Sequence, residues 1–122
     1  MPSPAQRTFS ADVRDGPQAG ATFIDLHGEI NALADEALSA AYAEAANRGA
    51  EIVLLNFSDV DYINSTGIAL IVGILAAARK AKHQLVTFGL SDHYLEIFQI
   101  TRLSDFMAIY ADEEDALKEL AH

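Results

Sequence analysis

Apolar positions along this chain switch between two rhythms. Thr8 to Arg14 alternates, with Phe9, Ala11 and Val13 on one side, which predicts an edge strand. Asp15-Gly16-Pro17 and Gly20 mark a turn, and Ala21 to His27 predicts a second strand. The two form a hairpin arm each, and Gly28 ends the second. From Leu33 to Asn47 the period becomes helical: Leu33, Ala37, Ala41 and Ala45 share a stripe with Leu38 beside it, and Gly49 stands at the C-cap. Ile52 to Leu55 is short and rich in branched side chains, as a buried strand is. Asn56 to Asn64 reads as a polar loop anchored by Val60, Tyr62 and Ile63.

Asn64-Ser65-Thr66-Gly67 then opens a long apolar helix that ends near Lys82. Arg79, Lys80 and Lys82 fall in its last turns, where cations suit the helix dipole. Gln84 to Phe88 is a strand closed by Gly89, and Ser91 caps a third helix running to about Ile100. Phe106 to Tyr110 is the last strand. Asp112 caps a final helix whose first turn holds Glu113, Glu114 and Asp115. Strands alternating with helices predict an α/β fold: a mixed sheet of about five strands with about four helices mainly on one side.

Composition narrows the function classes. The 122 residues are one domain's length, so 1–122 is expected to form a single domain, with Met1 to Gln6 a flexible end. An apolar share of 51% supports a packed core. The formal net charge of −10 repels phosphate backbones and anionic lipids, so neither nucleic acid nor a membrane is an expected partner. The absence of cysteine removes disulfides, thiol catalysis and thiolate metal sites. MPSPAQRTF has no apolar signal core, and the apolar run Gly67 to Ala78 is too short to span a bilayer. A cytoplasmic protein is expected.

Candidate chemistry concentrates where the second helix begins. Ser65 and Thr66 put two hydroxyls beside amides that lack intrahelical acceptors, at the positive end of the dipole. The same stretch also serves as a helix cap, through Asn64 or Ser65. Along that helix Ile68, Ile71, Val72 and Leu75 have core spacing. Leu70, Gly73, Ile74 and Ala77 form a second apolar face, expected to dock a partner beside Ser65. Elsewhere the signals are weak. Asp59 and Asp61 suit a solvated loop, and His27, His83, His93 and His122 lack metal-ligand spacing. No nucleophile elbow or phosphate-cradling glycine loop occurs. No catalytic residue, metal or cofactor is expected.

The run Asn56-Phe57-Ser58-Asp59-Val60-Asp61-Tyr62-Ile63-Asn64-Ser65-Thr66-Gly67 resembles the central motif of STAS domains of the anti-sigma factor antagonist family. His27-Gly28-Glu29-Ile30-Asn31 is similar to the stretch after that family's second strand. Ile97 to Leu103, Phe106 to Tyr110 and Glu113 to Leu117 resemble its closing helix, strand and helix. The resemblance implies a STAS-like fold and a regulatory binding domain. Its partner would be an anti-sigma factor serine kinase. The switch would be phosphorylation at Ser65, with Thr66 the lesser candidate, reset by a serine phosphatase. Partner contacts would come from Asn31, Asn64, Ser65, Thr66, Gly67, Leu70, Gly73 and Ile74. Asn31, Asn56 and Asn64 stand where the family pattern has acidic residues. A STAS scaffold that is not phosphorylated, or a nucleotide-binding module, remains the alternative.

Overall fold

The computed structural model describes residues 7–120, so the expected flexible end, residues 1–6, lies outside the described residues. The chain forms β1 (Ser10–Asp15), β2 (Ala21–Ile30), a 3-10 turn (Ala32–Ala34), α1 (Asp35–Asn47), β3 (Ile52–Ile63) and α2 (Ser65–Ala81). It continues with β4 (Gln84–Phe88), α3 (Asp92–Ile100), a second 3-10 turn (Leu103–Asp105), β5 (Ala108–Tyr110) and α4 (Glu113–Leu120). The five strands lie in the order β1-β2-β3-β4-β5. The hairpin β1–β2 is antiparallel and the remaining pairs are parallel, so the sheet is mixed as the pattern predicts.

Alternation along the strands feeds two layers. Ile24, Leu26, Val53, Leu55 and Leu85 point to one face, where they pack with Leu38, Ala41 and Ala45 of α1, Ile71, Ile74 and Leu75 of α2, and Phe98 of α3. Phe23, Leu54, Val86 and Phe88 point to the other, where Ala116 of α4 covers them. Three helices therefore share one face and the short α4 takes the other.

Three expectations are corrected. First, the polar run after Leu55 is strand and not loop: β3 continues to Ile63 because β2 also continues past Gly28 to pair with it. Register shifts between Asp25 and His27 and between Gly28 and Glu29 carry β2 through its glycine, and Gly28 takes the left-handed φ of 86° that lets the strand bend there. Polar side chains fit this extension because it runs toward the rim of the sheet. Second, α1 begins at Asp35, so its buried stripe is Leu38, Ala41 and Ala45. Leu33 belongs to the preceding turn and is 88% exposed. Third, the apolar faces of α2 are rotated from their expected places. Ile74 is only 7% exposed and is core, whereas Val72 is 45% exposed. Gly67, Ile71, Ile74, Leu75 and Ala78 repeat at intervals of three and four, and that row faces the sheet.

Candidate functional site

β2 and β3 end side by side, with Ile30 paired to Ile63, so the residues that follow them, Asn31 and Asn64, emerge on one rim. Each asparagine closes a turn there. The Asn31 Oδ1 accepts from the Leu33 amide at 2.9 Å, and the Asn64 Oδ1 accepts from the Gly67 amide at 2.8 Å as the N-cap of α2. Capping of α2 is thus done by Asn64. Ser65 and Thr66 are the first two helical residues and both are exposed. The Gly67 amide is used by the cap, and those of Ser65 and Thr66 have no acceptor within the helix.

The junction is held from three sides. The Asn64 amide donates to the Ile30 carbonyl at 3.2 Å, which ties the start of α2 to the end of β2. The Ile63 amide donates to the Tyr94 hydroxyl of α3 at 2.8 Å. Gly67 is buried against β2, and a Cβ at that position would overlap the Ile30 carbonyl oxygen. Gly67 is therefore a packing residue that lets the first turn lie on the sheet, and it presents no side chain to a partner.

The remaining residues of the expected docking surface divide. Leu70 is half-buried against the core, and Gly73 is exposed with open space around its Cα. Ile74 is withdrawn from that surface by its burial. One residue joins it that the sequence pattern assigned to the core, Leu33, protruding from the turn that follows Asn31; Val72, also assigned to the core, is exposed and lines a depression with Leu103 and Phe106. The signal for Leu33 was available in Asn31 itself. A side chain that caps its own following turn delays the helix and turns Leu33 out of the stripe.

Asn56 has a separate explanation. Its Nδ2 donates to the Asp25 carboxylate at 2.9 Å and its Oδ1 accepts from the Ser58 amide at 3.0 Å. Burial pushes the Asp25 carboxyl up, but hydrogen bonds from Arg14 and Asn56 outweigh it and hold the group below its usual range. An aspartate at 56 would face that carboxylate and supply no donor. Asn56 therefore serves the sheet, while Asn31 and Asn64 are the neutral residues at the rim beside Ser65.

A second charged cluster lies on the outer end of the hairpin. Arg7 bonds Asp59 and Asp61 at 2.9 and 2.7 Å, and His27 bonds Asp59 and Asp12 at 2.7 and 3.1 Å. The hydrogen bond with Asp59 is the main reason His27 is held above its ordinary pKa. Arg7 and His27 together bring Asp59 down to about 2.

This arrangement, a five-stranded mixed sheet whose second and third strands deliver a serine to the start of a helix, matches known proteins. The profile described as STAS domain covers residues 10–116. An anti-sigma-B factor antagonist of Listeria monocytogenes is 33% identical over 86 residues, which are 70% of this chain and 75% of that protein. The crystal structure of an anti-sigma factor antagonist from Mycobacterium paratuberculosis superposes with a TM-score of 0.77 over 100% of both chains at 19% identity. The Bacillus cell fate determinant SpoIIAA in its phosphorylated form superposes with a TM-score of 0.67, covering 93% of this chain and 99% of that one at 22% identity. The chain belongs to the STAS domain family, among its anti-sigma factor antagonists.

Proposed function

We propose that this domain is a cytoplasmic binding switch that engages an anti-sigma factor serine kinase and is released by phosphorylation of Ser65. The observation that carries the reading is the division of labour at α2: Asn64 does the capping, which leaves the exposed Ser65 hydroxyl out of the cap. The docking surface is the rim formed by Asn31, Leu33, Asn64, Ser65 and Thr66, continued along α2 by Leu70 and Gly73. In the transfer, the Ser65 Oγ attacks the γ-phosphorus of ATP held by the kinase. The bond to the β-phosphate oxygen breaks, ADP leaves, and the hydroxyl proton passes to a base of the kinase. The phosphate adds roughly two negative charges beside the free first-turn amides, so the domain stays folded. The partner loses affinity because it would have to desolvate a dianion at the edge of an apolar contact. A serine phosphatase restores the binding form.

The neutral rim favours one second reading, a docking scaffold without the switch, because Asn31 and Asn64 supply no carboxylate beside Ser65. Intact-mass measurement after incubation with an anti-sigma factor kinase and ATP separates the two. The switch requires one phosphate on the wild type and on Thr66→Ala, and none on Ser65→Ala. If a kinase active on another antagonist leaves the wild type unmodified but phosphorylates Asn31→Asp/Asn64→Asp, the scaffold reading replaces it.

A further inference from the structure

Eight cationic side chains stand in this acidic chain, and their distribution is uneven. Arg7, Arg14, Arg48, Arg102 and Lys118 each pair with a carboxylate. Among the described residues Arg79, Lys80 and Lys82 have no such pair, and all three sit at the C-terminal end of α2. The helix dipole there amounts to roughly half a negative charge, which one cation satisfies. Beside them, two adjoining depressions of about 300 and 260 Å³ run between α2 and residues 101–108. Val72, Leu75, Ala76, Leu103 and Phe106 give the first an apolar lining, with Arg79 and Arg102 on its edges. Phe106 is half-exposed, and the Arg79 guanidinium lies 4.8 Å from its ring centroid.

The backbone marks the same place. Lys82 and Arg102 are the non-glycine residues at positive φ among those described, at 63° and 67°. Glycine would hold either turn with less strain. Both positions instead carry a long cation: Arg102 lines the first depression, and Lys82 immediately precedes His83, which lines the second.

We propose that this groove docks an acidic peptide segment of a partner protein, anchored by one large apolar side chain. The cations supply charge complementarity, and the Leu75–Phe106 floor supplies the anchor's pocket. Asp105, which bonds Arg102 at 2.7 Å, takes part of that guanidinium and leaves it further donors. A concave site of about 300 Å³ fits a side chain better than a bilayer surface, and the net charge of −10 disfavours an anionic bilayer. Its cation Arg79 stands 14 residues along α2 from Ser65, about 21 Å at 1.5 Å per residue, and even its near edge at Val72 is about 10 Å away, so it is a separate site.

The test is a ¹⁵N NMR titration of the whole chain with an acetylated peptide in which glutamates flank a central Leu-Phe pair. Shifts are expected at residues 72–83 and 101–108, weakening with added salt. Arg79→Glu/Lys82→Glu should weaken binding at least tenfold. Lys82→Gly/Arg102→Gly should weaken it severalfold at an unchanged or raised melting temperature, which separates binding from a structural role. Ser65→Asp should leave it unchanged. Absence of shifts overturns the proposal. So does equal binding of a Ser-Ser version of the peptide, stronger association with phosphatidylserine vesicles than with the peptide, or loss of binding in Ser65→Asp.

Discussion

At its first turn α2 carries no ionisable side chain: Asn64 caps it, and Ser65 and Thr66 follow. At its last turns the same helix carries Arg79, Lys80 and Lys82. The dipole favours an anion at the first place and a cation at the second, by about 0.3–1 kcal/mol each on a surface. One end takes that stabilisation with fixed charges. The other leaves it available, and a phosphate on Ser65 would take it reversibly. Helix ends of one element thus differ in whether their electrostatics are settled by fixed charges or left open.

The comparison assumes that the two ends are separate surfaces, divided by a middle turn committed to the core. Ile74 decides this. Ile74→Asp puts a carboxylate among Ile71, Leu75 and the sheet, and should cost about 4 kcal/mol or more, measured by urea unfolding. Val72→Asp, two residues before it and so on the opposite, exposed side of the helix, should change stability by about 0.5 kcal/mol or less. If Ile74→Asp folds normally, the middle of α2 is surface and the two ends belong to one continuous docking face.

Ile74 also shows where sequence pattern stops short. The order of strands and helices was legible because each element carried its own period and its own cap: Ser91 accepts from the Tyr94 amide and Asp112 from the Asp115 amide, as their positions implied. The rotation of α2 was not legible, because the helix is apolar or small nearly all round and periodicity gives no phase. The phase is fixed by a backbone contact, Gly67 against Ile30, between residues far apart in sequence. The β3 extension was hidden for a similar reason. Ser58, Asp59 and Asp61 look like loop residues until their partner strand, itself bent at Gly28, is seen beside them. Ser65 could be placed from sequence because a capping asparagine followed by two hydroxyls is a local signal.

The second prediction concerns how firmly each part of α2 is held. Gly67→Ala drives a Cβ into the Ile30 carbonyl, which is backbone and cannot turn aside; a loss of about 3 kcal/mol is expected from such overpacking. Gly73→Ala meets open space and should gain about 0.5–1 kcal/mol from helix propensity. Thermal unfolding of the two variants should therefore move in opposite directions. A tolerated Gly67→Ala would mean that the β2–α2 junction yields, and that Ser65 is not rigidly presented.

The smallest effect tests the background against which Arg79, Lys80 and Lys82 stand out, namely that the other cations on the surface pair with carboxylates. His27 is the titratable member of such a network, facing Asp12 of β1 and Asp59 of β3. Its folded pKa is raised, chiefly by the hydrogen bond with Asp59. A raised pKa means that the charged form is favoured by folding. That stabilisation is fully present below the unfolded value of about 6.5 and is lost as pH rises through the folded pKa. Asp59, held near 2, stays ionised across this range and adds no slope of its own. Arg7 shares Asp59 with His27, so a second cation trims the gain and keeps it small. The expected result is that the stability difference between wild type and His27→Gln shrinks from pH 6 to pH 9. An NMR titration of the imidazole should give a midpoint above its ordinary value in the folded chain. A difference independent of pH would show that this surface does not bind its charges together. Unpaired cations would then be common on this surface, and their concentration at one end of α2 would no longer mark a site.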